Sequence, residues 1–288
     1  MRKEGGSCRE GPIDAVVVCD IFSIQVRRRG ACQVVEHLTE EEYRKKIATF
    51  VENAHGHGKH CARSTVRHMI RAWKLKEIDP EMAAFRALTA EEEAASAVLH
   101  SLKLHRYKLS EQLKPREHIQ KAAVYPFFLA VQSMLAIGVP AEADPQLEID
   151  ESDAKPQIRI KVRGHDKEGV PRWIYPVPRL NFDARIDNEL VDFSEQIKEL
   201  TSHRNAKTII DYVRRRANRR NQLLFASDKG VPNIQGIDDF LNEQEKITYR
   251  ILTIFLMVDP YPMKQFFVEQ CLNAFLKMLK QLPTDLLG

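Results

Sequence analysis

Between Met263 and Leu282 the residues Phe266, Phe267, Cys271, Leu272, Phe275, Leu276 and Leu279 recur at helical spacing. A stripe this wide has to be buried, either in the chain's own core or against a partner. The stretch from Asp238 to Val258 (DDFLNEQEKITYRILTIFLMV) predicts a second helix, and Pro115 opens a third whose apolar run YPFFLAVQSMLAI ends at Gly138. Thr39 with Glu42 forms a capping box, and Tyr43, Ile47 and Phe50 then mark a helix that ends near Asn53. Asp79-Pro80 is another helix start, Thr89 with Glu92 reads as one more, and Leu190 to Leu200 continues the series. Helices of this kind must pack on one another.

Two stretches have the period of strands. AVVVCDIFSIQV (15–26) and ACQVVEH (31–37) flank the RRRG turn and predict an N-terminal β-hairpin, with Asp20 at a bulge or edge rather than in a nuclease sheet. PQIRIKVRG and VPRWIYPVPR predict a second hairpin around the turn from Gly164 to Gly169, kept to edge positions by Pro171, Pro176 and Pro178. The acidic, Pro-rich residues 140–156 between helix and hairpin suggest a linker. The expected fold class is therefore mainly α (α+β), a helical bundle with an N-terminal β-hairpin and an inserted second β-hairpin. Its parts are a flexible tail (1–12), the first hairpin with the first helices (13–138), the acidic linker and inserted hairpin (139–180), and the C-terminal helices (181–288).

Composition narrows function only by exclusion. Lys plus Arg is 44 against 40 acids, a net charge of +4, so a polyanionic partner must be argued from local clusters. The cysteines at 8, 19, 32, 61 and 271 are odd in number and form no CxxC pair, which points to reduced thiols in the cytoplasm. The charged, Gly-rich start reads as a tail and not a signal peptide, and no apolar run approaches the roughly 20 residues of a membrane helix.

Three local clusters carry chemistry. From Asn205 to Pro232 a helix with Arg214, Arg215, Arg216, Arg219 and Arg220 is followed by Asn221 and Asp228. Arginines four apart repel by a few tenths of a kcal/mol per pair, which suggests a nearby anion unless the face is simply solvated. The segment AEEEAASAVLH supplies Glu91, Glu92 and Glu93, with His100 two turns from Glu93 on the same face and small residues at 94, 95 and 97 that admit a close helix. The third cluster, His55, His57, His60, Cys61 and His68, contains metal-ligand residue types, with His57 and His60 as a chelate step. A zinc site needs a second pair of ligands, and none is apparent in the sequence, so we expect a mobile loop there, no metal and no cofactor.

Arg220-Asn221 within RNQLLFASDKGVP, together with AEEEAASAVL, resembles the abortive-infection V branch of the HEPN superfamily (higher eukaryotes and prokaryotes nucleotide-binding domains). The superfamily motif is an Arg followed by a polar residue and, four to six residues beyond that, a His; positions 225–227 here are Phe, Ala and Ser. Arg63 to His68 also matches that pattern. The resemblance implies a helical bundle, RNA as partner, assembly into a homo-oligomer, which the last helix would mediate, and metal-independent endoribonuclease activity in stress or phage defence. It makes Arg220 and Asn221 catalytic candidates and Arg215, Arg216 and Arg219 nucleic-acid contacts, and with the motif His absent the base stays open among Asp228, one of Glu91, Glu92 and Glu93, His100, and a His of the 55–68 stretch. Cleavage by a 2′-hydroxyl needs a base and a cation for the charged phosphorane; arginine meets only the second need. The alternatives are a non-catalytic module whose basic helix meets RNA or an acidic protein, and a buried network in which the Arg and Glu helices merely pair.

Overall fold

A computed structural model describes residues 24–27, 36–37, 39–138, 146–150, 157–165, 168–180, 185–186, 189–190, 210–216, 223 and 233–281. The expected class holds: the chain is mainly helical with a small sheet. Its labelled helices are α1 (Glu40–Glu52), α2 (Gly56–Leu75), α3 (Pro80–Leu104), α4 (His118–Gly138), α5 (Ile237–Val258) and α6 (Phe266–Leu279), and residues 210–216 are helical as well.

Helix α1 starts where its capping box predicts: Thr39 Oγ1 accepts from the Glu42 N–H, and the Glu42 carboxylate accepts from the Thr39 N–H at 3.0 Å. Asp79 caps α3, accepting from the Met82 N–H at 2.9 Å. The second capping box does not form. Thr89 lies inside α3 with its hydroxyl donating to the Phe85 carbonyl, so Glu91, Glu92 and Glu93 sit mid-helix rather than at a positive helix end. High helix propensity across the Ala-rich segment carries α3 straight through.

Helix α3 is the centre of the bundle. Ala83, Ala84, Ala87, Ala90, Ala94, Ala95 and Ala97 are fully buried, and α2, α4 and α5 pack around them. Close approach is completed by Gly58 on α2. A Cβ there would lie 2.9 Å from the Phe255 ring and 3.1 Å from the Ala97 carbonyl. The histidine-rich stretch is thus a helix and not a loop: residues 56–75 form α2, and Gly56 and Gly58, which look like loop residues, serve its start and its packing. Its N-cap residue His55 offers no side-chain cap; the buried Asp259 carboxylate accepts instead from the His55 N–H at 2.9 Å. An anion at this end also suits the helix dipole.

The strands depart from two separate hairpins. β1 (Ile24–Arg27) pairs antiparallel with β2 (Glu36–His37), as expected, but also parallel with β3 (Gln146–Asp150). β3 in turn pairs with β4 (Gln157–His165), and β4 with β5 (Pro171–Ile174), giving the order β2-β1-β3-β4-β5. Two-residue strands β6 (Arg185–Ile186) and β7 (Glu189–Leu190) form a separate pair. Leu190, expected to begin a helix, is therefore in a strand pair, and the rest of that expected helix lies outside the described residues. The acidic linker is corrected too: Leu147 and Ile149 are buried in the main core with Ile158 and Ile160, while Glu148 pairs with Lys161 at 3.2 Å and Asp150 pairs with Arg159. Its acids read as linker because their cations sit on the next strand, beyond any local pattern.

On α6, Phe267, Leu272, Phe275 and Leu276 are buried within the chain's own core. Much of the stripe offered for an oligomer contact is thereby covered by the chain itself, while Phe266 at its start stays 49% exposed. Among the described residues no helix is long and apolar enough to cross a membrane.

Candidate functional site

Among the described residues the arginine stretch and the acidic helix meet at Arg216. Arg216 Nη2 donates to Glu91, Gln244 Nε2 donates to the same carboxylate oxygen, and Arg216 also reaches the Gln244 side-chain oxygen. Tyr212 adds its hydroxyl at 3.4 Å and lies under the Arg216 guanidinium at 5.5 Å. The Arg216 and Glu91 side chains are only 15% and 5% exposed. This is a buried tie between residues 210–216, α3 and α5. A guanidinium so enclosed by its own chain has little left to offer a phosphate. Arg215 is exposed. Arg219, Arg220, Asn221 and Asp228 lie outside the described residues.

The acids of α3 point three ways. Glu91 joins the tie just described. Glu92 pairs with His118 Nδ1 and Lys121 Nζ, each at 2.8 Å, at the start of α4. Glu93 turns toward α2. Burial pushes its carboxyl above the ordinary carboxylate range, while Lys121, His57 and a hydrogen bond from Ser64 act in the opposite direction.

His100, two turns on from Glu93, also faces α2, as the heptad spacing predicts. Its ring lies against that of His57, with centroids 4.3 Å apart at 68°. Burial, followed by His57, holds the His100 imidazole below its usual value. Cys61, one turn after His57, completes the group, and the possible ligand atoms of His57, Cys61 and His100 all lie within 4.8 Å of one another. Burial, then Glu93, pushes the Cys61 thiol up to about 11. His57 is exposed, His100 half-buried and Cys61 buried, so the cluster runs from the surface inward between α2 and α3. The sequence names all three residues but ties His57 to His60, whose ring centroid is 6.2 Å away. Spacing of four on a helix, with a third group from a neighbouring helix, is the signal that a loop assignment hides.

The opposite side of α2 is the feature most completely missed. Gly58, Cys61, Ala62, Thr65, Met69 and Ala72 face inward. His60, Arg63, Arg67, Arg71 and Lys74 line the other side, and the 20-residue helix contains no acid. Arg63 pairs with Glu52. Arg67, Arg71 and Lys74 are exposed and have no ion-pair partner among the described residues. Lys59, Arg63, Arg67 and Arg71 repeat at intervals of four, the same stacking of like charges that draws attention to Arg214–Arg220.

No protein-family model matches this chain, and neither a curated protein nor a solved structure does.

Proposed function

We propose that the protein is a helical RNA-binding protein that meets the phosphate backbone with the outer face of α2. The carrying observation is that Arg67, Arg71 and Lys74 stand in one exposed row on a helix without acids, with no ion-pair partner among the described residues. Such a row repels itself and is relieved by polyanionic phosphate. The RNA target is the one that the resemblance to the HEPN superfamily implies, with the contact moved from Arg216 to α2. An acidic protein surface would be the competing partner.

The test is fluorescence anisotropy of a labelled single-stranded RNA across a salt series. Binding should weaken steeply with salt, and each arginine of Arg67→Ala and Arg71→Ala should lower the salt slope by roughly 1. Arg216→Lys should leave that slope unchanged. No binding at low salt, or a slope indifferent to Arg67 and Arg71, rejects the proposal.

A catalytic version is favoured by one observation, the approach of Glu93 and His100 to His57, which would supply the base that the arginine stretch lacks. Incubation with total RNA decides it: cleavage that is lost in Arg220→Ala and His100→Ala supports an endoribonuclease, and intact RNA leaves binding alone.

A further inference from the structure

The side of α2 that faces α3 holds a second, separate feature. We propose that His57, Cys61 and His100 form a binding site for a divalent transition-metal ion, with zinc as the best chemical fit. The inference does not depend on RNA binding.

Its basis is geometric. His57 and Cys61 are one helical turn apart and so project to the same side, and His100 of α3 meets them there, bringing three possible ligand atoms within 4.8 Å of one another. Two imidazoles and a thiolate are a borderline-soft donor set of the kind that selects zinc over magnesium or calcium. Zinc bonds of about 2.0–2.1 Å to nitrogen and about 2.3 Å to sulfur place tetrahedral ligands roughly 3.5 Å apart. Closing from the present spacing takes about 1 Å, which side-chain rotation supplies, because His57 is exposed and His100 only half-buried.

Cys61 is the fixed point. It is buried on a helix that Gly58 seats tightly against Ala97 and Phe255. Glu93 is near enough to act electrostatically on both Cys61 and His57, so when ionised it places a negative charge that favours a bound cation. Lys121, whose charge is felt at Cys61 and Glu93, is paired with Glu92 at 2.8 Å. Three protein ligands and an exposed side leave a fourth position for water or another small donor.

The experiment is a titration of the full-length, metal-stripped protein with Co2+, without RNA, followed by displacement with Zn2+. A near-ultraviolet thiolate-to-cobalt band together with visible bands of tetrahedral cobalt is expected. Cys61→Ser should remove the thiolate band, and His57→Gln and His100→Gln should each weaken zinc binding roughly tenfold or more; His60→Gln should change neither. His57 is exposed, so its variant tests the site even if Cys61→Ser fails to fold, and circular dichroism reports on folding for each. A wild-type protein with no thiolate band, or a band that survives Cys61→Ser because it arises at Cys8, Cys19, Cys32 or Cys271, overturns the proposal.

Discussion

Two helical stretches of this protein are rich in arginine, and the chain uses them in opposite ways. In residues 210–216, Arg216 is enclosed by Glu91, Gln244 and Tyr212 and locks the segment onto α3 and α5. On α2, Arg67, Arg71 and Lys74 stand exposed in a row. A count of arginines does not distinguish these cases, because whether a charge is available depends on what lies across from it. Charge enclosed by its own counter-ion stabilises the fold, while exposed, self-repelling charge is available to a partner.

The strongest way to break this comparison is to remove the counter-ion. Glu91→Ala leaves Arg216 buried without its carboxylate and should cost about 3–5 kcal/mol in urea unfolding. A near-neutral result would show that Arg216 is free, and the contrast with α2 would collapse. Next in size is Gly58→Ala. The new methyl meets the Phe255 ring and the Ala97 carbonyl, so a loss of roughly 1–3 kcal/mol is expected, measured by thermal melting. An unchanged melting temperature would mean that α2 is not held against α3 as tightly as its glycine implies.

The double variant Arg67→Ala/Arg71→Ala sharpens the other half. Exposed and without an ion-pair partner among the described residues, these arginines should contribute to stability within about 0.5 kcal/mol, and the double variant should still lose RNA affinity. A marked fall in its unfolding midpoint would assign them a structural role like that of Arg216. The smallest effect concerns pH. Burial, aided by Arg86, Arg71 and Arg67, holds the His68 imidazole below its ordinary value of 6.5. As pH falls through about 6.5 the unfolded chain takes up a proton that the folded chain takes up only at lower pH, so this stabilising contribution is complete above 6.5 and lost below it. Stability curves from pH 7.5 to 5.5 should flatten in His68→Gln; an unaltered slope would mean that burial and the neighbouring arginines do not hold that ring's proton affinity down.

Much of the helical framework was legible in the residues. The Thr39 capping box, Asp79-Pro80, the run to Gly138 and the stripe of α6 are local patterns, each satisfied within a few turns of chain. Errors came where a local pattern had a distant partner. Thr89 and Glu92 look like a helix start, yet α3 passes through them because buried alanines on both sides favour continuation. Residues 146–150 look like linker because Lys161 and Arg159, which match Glu148 and Asp150, lie on β4. The glycines of α2 look like loop, and their use appears only when Phe255 and Ala97 are in place.

The amino-acid sequence by itself determined the helical class, several helix ends, the second hairpin and the presence of three chemically loaded clusters, since these depend on spacing, capping and turn residues near one another in the chain. Tertiary structure alone decided which charges are neutralised, which side of α2 faces outward and which histidine stands beside Cys61. Those outcomes depend on contacts between residues far apart in the chain, and periodicity along one helix does not record what the neighbouring helix brings to it.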